Sequence, residues 1–114
     1  MTPQLQLKLR AAFRTEADMY LALQTSEAKW KQLERLHIIG QSILSLHLKT
    51  HWLMLNLAIE EAKSTEILGQ ALRLVLVFPG HIFGKLPIGN VGTTRVSAFR
   101  PMEIPSDLKG LFNS

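Results

Sequence analysis

The chain reads as an all-α domain, and three observations predict it. Apolar residues recur at three- and four-residue spacing from Leu5 to Phe78. Helix-start residues stand at Thr2-Pro3 and Ser26, and Gly40-Gln41-Ser42 and Lys63-Ser64-Thr65 interrupt the pattern where helices would reverse. A length of 114 residues allows one domain with a single core. The expected architecture is about four helices in antiparallel hairpins, of a tetratricopeptide-like kind, although no complete repeat signature is present.

The first helix is predicted from Pro3 to about Leu23, with Leu5, Leu9, Ala12, Phe13, Ala17, Tyr20 and Leu21 at helical spacing. Ser26 is expected to cap a second helix beginning at Glu27, whose charge suits a helix N-terminus. Its inward face would be Trp30, Leu33, Leu36, His37 and Gly40, and its outer face Lys31, Gln32 and Arg35. Gly40 then serves as a C-cap, and a third helix, Ile43 to Ala62, is apolar enough around its circumference to be central. A fourth, Glu66 to Phe78, would turn Ile67, Leu68, Ala71, Leu72, Val75 and Phe78 inward and stop at Pro79-Gly80.

Beyond Pro79 the composition changes. Gly80, Gly84, Gly89, Gly92 and Gly110, with Pro87, Pro101 and Pro105, predict irregular chain. The same segment carries Ile82, Phe83, Leu86, Ile88, Val91, Val96, Phe99, Met102 and Ile104, too many apolar groups for a free tail. One domain over residues 1–114 follows, with a helical bundle at 1–78 and a tail at 79–114 packed on it, fraying from about Lys109.

Composition narrows the function classes. Hydrophobic residues make up 46% of the chain and charged residues 19%, which argues against disorder. With no cysteine there is no disulfide, thiolate metal site or cysteine nucleophile. The N-terminus MTPQLQLKLR has no apolar signal core and uninterrupted apolar runs are short, so the expectation is a bacterial-type cytoplasmic protein that does not engage a membrane. The net charge is +4, but the basic residues are spread out with no cluster of three, giving no clear nucleic-acid footprint.

Three of the four histidines, His37, His47 and His51, fall between Glu34 and Met54. On a helical wheel Ser45, Lys49, Asn56 and Glu60 form the polar stripe of the third helix, and His47 and His51 lie opposite, among Leu44, Met54 and Ala58. Their i, i+4 spacing puts both rings on one face, as chelation from a helix requires. In a hairpin folded near Gln41, His37 comes level with His47. Three converging imidazoles suit a divalent transition metal such as zinc, nickel, copper or iron, and Glu34, one turn from His37, is the carboxylate candidate. The alternative is a buried histidine hydrogen-bond network inside a non-catalytic helical-hairpin module that binds a protein partner. His81 is expected on the surface, in the loop after Pro79.

Leu33–Gln41, His47, His51-Trp52-x-Met54 and Gly89–Leu108 (GNVGTTRVSAFRPMEIPSDL) together resemble a bacterial family, the domain-of-unknown-function family 3703. The resemblance implies a small helical protein and no activity.

Enzyme signatures fail on inspection. His47-Leu-Lys-Thr-His51 lacks the glutamate of a metalloprotease helix, and one Glu34-x-x-His37 does not make a di-iron bundle. Gly80–Leu86 echoes a phosphate loop but is a residue short and has Leu86 where Ser or Thr would bind magnesium. Gly89-Asn90-Val91-Gly92-Thr93-Thr94 has the composition of an anion nest or of a plain turn. If that loop approaches the histidines, a ligand site between tail and bundle follows and Asn90 joins it.

Overall fold

Thr2 opens helix α1 (Pro3–Ala22): its hydroxyl accepts from the Leu5 N–H at 3.1 Å, and Pro3 occupies the first turn, where no N–H is needed. Helix α2 (Ser26–Gly40) starts one residue before its expected position, because Thr25 rather than Ser26 is the cap, accepting from Ala28 N–H at 3.2 Å. The structure, a computed structural model, describes residues 1–84 and 86–113. Lys85, part of the phosphate-loop echo, and Ser114 at the end of the tail lie outside the described residues.

Of the outer face expected for α2, Lys31 is exposed, but Gln32 and Arg35 form a seam. Gln32 is buried and donates to the backbone carbonyl and the carboxylate of Glu16, both at 2.8 Å. Arg35 grips the same carboxylate through Nε at 2.7 Å and through its terminal nitrogen at 3.1 Å, and reaches Asp107 at 2.7 Å. These two polar side chains join α1, α2 and the C-terminal segment, so at Gln32 and Arg35 wheel polarity did not report exposure.

Gly40 is the last residue of α2, and the cap, Gln41, remains right-handed. The glycine serves close packing: a Cβ there would meet Leu46 Cβ at 2.8 Å and the Phe13 ring at 3.0 Å. Helix α3 (Leu44–Glu60) follows without a side-chain cap from Ser42 or Ile43. It ends before Ala62, which takes a left-handed φ of 54°; the Lys63 N–H returns to the Ala58 carbonyl and the Ala62 N–H to Ile59, a Schellman closure.

Helix α4 (Ser64–Phe83) departs most from expectation. It runs through Pro79 and stops at Gly84, which supplies the left-handed cap at φ 66°. Pro79 removes one helical N–H, but Val77 is buried and His81 bonds α3, so tertiary contacts carry the helix past the break. Its inward face is also not the expected one. Gln70, Arg73 and Val77 are buried, whereas Leu68, Leu72, Val75 and Phe78 are 50–74% exposed. The interior facing α4 is polar, and a polar interior selects the face that can satisfy it. By length and composition alone, this helix is long and apolar enough to cross a membrane.

Successive helices pack on one another, α1 on α2, α2 on α3 and α3 on α4. The core joins Leu9 and Phe13 of α1, Leu33, Leu36 and Ile39 of α2, and Met54 and Leu57 of α3. From Gly84 the tail crosses back over the bundle and places Val91 and Leu108 in that core. It does not fray at Lys109. A short helix α5 (Ser106–Lys109) and a 3₁₀ turn (Gly110–Phe112) pack there, the turn against α1, and Lys8 donates to the Asn113 carbonyl at 2.8 Å. The radius of gyration, 13.4 Å, matches the roughly 13 Å of a compact chain this long.

Candidate metal centre

The α2–α3 hairpin brings His37, His47 and His51 together, as their spacing predicts. Their Nε2 atoms form a near-equilateral triangle: 3.2 Å between His37 and His47, 3.1 Å between His37 and His51, and 3.2 Å between His47 and His51. All three side chains are at least 95% buried. With metal–nitrogen bonds of about 2.0–2.1 Å, such edges correspond to N–metal–N angles of about 100°, close to tetrahedral.

The outward nitrogens set the tautomers. His37 Nδ1 lies 2.6 Å from the Asn90 carbonyl, which can only accept, so Nδ1 carries the proton and Nε2 a lone pair. His51 Nδ1 lies 2.6 Å from Gln70 Oε1. Gln70 Nε2 donates to Glu66 at 2.7 Å and to the Gly92 carbonyl at 2.9 Å, which fixes the amide and leaves its oxygen as acceptor. His51 Nε2 therefore also holds a lone pair. His47 Nδ1 sits 3.0 Å from His81 Nε2. Either ring of this pair can supply the shared proton, so the tautomer of His47 follows that of His81. The lone pairs of His37 and His51 thus face one point, and that of His47 joins them when His47 donates to His81.

Electrostatics keep the rings neutral. Burial, then the neighbouring His51 and His47, drives His37 well below its ordinary range. Burial, then His51 and His81, lowers His47 to about 3. Burial lowers His51 to about 4, against the opposing hydrogen bond of Gln70. At neutral pH the cluster is three neutral nitrogen donors, the form a metal requires.

Glu34, the carboxylate candidate, stands apart from this group. It accepts from the Thr93 hydroxyl and takes a two-point contact from Arg95, at 2.8 and 3.0 Å. The loop over residues 89–94 does approach the histidines. Gly92, at φ 83°, lies so close over the His37 ring that a Cβ would come within 2.4 Å of it. The N–H groups of Asn90, Gly92 and Thr94 are committed to Pro87, to the Asn90 side chain and to Glu66, so this is a structural turn and not an open nest.

His81 and Gln70 were missed in the sequence. His81 is on a helix and only partly exposed, contrary to the surface loop expected for it. Continuing the helix through Pro79 places Gln70, Arg73, Val77 and His81 on one face at three- and four-residue intervals, the signal that would have found them. A cavity of about 220 Å³ opens beside the histidines.

No curated protein and no solved structure matches the chain. A family model described as a protein of unknown function (DUF3703) matches residues 6–112, nearly the whole chain, and the protein belongs to that family.

Proposed function

We propose that this protein is a metal-binding module whose ligands are Nε2 of His37, His47 and His51. The observation that carries the reading is the lone-pair triangle. A hydrogen-bond network needs one proton for each pair, and partners that can only accept hold the protons of His37 and His51 on their outer nitrogens. At most one Nε2, that of His47, could donate inward, leaving two buried lone pairs to share one proton. A cation satisfies all three. Asn90, Gln70 and His81 then act as the groups that aim metal-ligating imidazoles. Neutral nitrogen donors without thiolate suit zinc, nickel, copper or iron, and near-tetrahedral angles favour zinc. Three protein ligands leave a coordination position open. Elemental analysis of untagged protein purified without chelator tests the proposal. About one metal per chain is expected, and none in a His47→Ala/His51→Ala variant. Folded parent protein that carries no metal and takes up no added zinc, nickel or copper removes the reading.

A second reading, as an interaction module, rests on a different surface. Leu68, Leu72, Val75, Phe78 and Ile82 run along the outer side of α4 at 50–75% exposure, with no charged residue among them. With Phe83, and at residue areas of about 150–250 Å² for the larger side chains, they expose on the order of 700–800 Å², near one partner's share of a standard interface. An uncharged apolar stripe suits a second copy of the chain, which offers the same surface and needs no charge complement. Sedimentation should show a dimer that Leu72→Glu/Phe78→Glu converts to a folded monomer. A parent that stays monomeric as concentration rises refutes self-association.

A further inference from the structure

The cavity beside the histidines is lined by a buried cation that forms no direct ion pair among the described residues. His37, His47 and His51 line one side of it, and Arg73 lines it too, with Val77, Pro79, Phe83 and Phe99 contributing apolar surface. Arg73 is only 9% exposed. Its terminal nitrogens donate to the backbone carbonyls of Gly69, Thr93 and Val96, while its Nε has no partner. Among the described residues, none of the ion pairs includes Arg73. The nearby carboxylate, Glu66, is occupied by Gln70 and Thr94.

A buried guanidinium stays charged, and carbonyl partners with a carboxylate held in other hydrogen bonds compensate its lost hydration less well than a direct counter-ion does. Proteins keep such a group where an anion is to be received. The rest of the lining says what kind. One positive charge calls for one negative charge, and the apolar wall calls for an apolar body. An engineered cavity of about 150 Å³ accommodates benzene, so 220 Å³ is enough for a molecule slightly larger. Phe83 and Phe99 are about 70% exposed and form an apolar rim.

We infer that this cavity is a binding site for a small organic monocarboxylate, its carboxylate held by Arg73 at the histidine-lined end and its apolar body against Val77, Pro79, Phe83 and Phe99. The site does not depend on the metal. If a metal occupies the three Nε2 atoms, the carboxylate gains a second positive centre at the open coordination position. Metal and carboxylate then strengthen each other's binding by the same factor.

The probe is 4-fluorobenzoate, followed by ¹⁹F NMR against metal-free and zinc-loaded protein, with 4-fluorobenzyl alcohol as the uncharged analogue. Saturable binding of the acid is expected in the metal-free parent, weakened about ten- to hundredfold for the alcohol and in Arg73→Gln. Because Arg73→Gln also removes donors to the Gly69, Thr93 and Val96 carbonyls, Phe99→Glu, at the exposed rim, serves as a second variant; it should lose the acid while the helical content is kept. Equal affinity for acid and alcohol overturns the assignment. So does unchanged binding in both variants, or no saturable binding to the metal-free parent at millimolar probe. If zinc does not bind at all, the metal-free titration still stands, so the two readings fail separately.

Discussion

Zinc should raise the melting temperature of this protein by on the order of 15 °C, and His47→Ala or His51→Ala should abolish the increment. Free metal at a thousand times its dissociation constant stabilises a folded state that alone binds it by about 4 kcal/mol. For a chain of this size each kcal/mol moves the midpoint by about 4 °C. The gain is large because the ligands are already in place. The mutual Nε2 distances of 3.1–3.2 Å need little adjustment, and the Nδ1 partners hold the rings in position before any ion arrives. Either alanine variant leaves two donors, and the metal loses its third bond. Scanning calorimetry with and without zinc, on parent and variants, makes the measurement. The metal-free variants should melt within a few degrees of the metal-free parent, since each loses packing but also relieves a facing lone pair. A zinc increment that survives in His51→Ala would assign the metal to other residues.

The metal-free protein should lose stability steeply as pH falls below about 6.5. Folded His47 and His51 resist protonation until about pH 3 and 4, whereas the unfolded chain protonates them near 6.5. Across that interval the unfolded state binds more protons, so folding stability is present above pH 6.5 and falls as pH decreases. The loss is about 1.4 kcal/mol per pH unit for each histidine. These two alone give about 5 kcal/mol over two units, comparable with the whole stability of a small domain. His37, displaced downward by burial and by both neighbours, acts in the same direction. Urea midpoints with chelator present, between pH 7.5 and 5, test this. A flat profile would mean that the histidines are solvated in solution.

Much of the fold and half of the site were legible in the sequence, and the division has a physical basis. The all-α class, the α2–α3 hairpin and the convergence of His37, His47 and His51 follow from local rules: helical periodicity, a turn at Gly40–Ser42 and an i, i+4 pair. These depend on neighbours within a few residues, which the sequence displays directly. The inward face of α4 did not follow. Its most apolar stripe, Leu68 to Phe78, is outside, because the histidines and the 89–94 loop need Gln70 and Arg73 within. Pro79 misled for the same reason, since contacts of Val77 and His81 outweigh one lost helical bond.

The sequence by itself determined which residues could carry the chemistry: three imidazoles without cysteine, held on two adjoining helices. Only the tertiary structure decided their protonation and their surroundings. The Asn90 carbonyl that fixes His37 lies 53 residues away, and the Gln70 amide that fixes His51 lies 19 away. A tautomer is set by whichever acceptor the fold brings to the far side of the ring, and no spacing along the chain announces that. Glu34 illustrates the converse: one turn from His37 in sequence, it is drawn off by Thr93 and Arg95, because a carboxylate goes to the cation and hydroxyl that packing sets beside it.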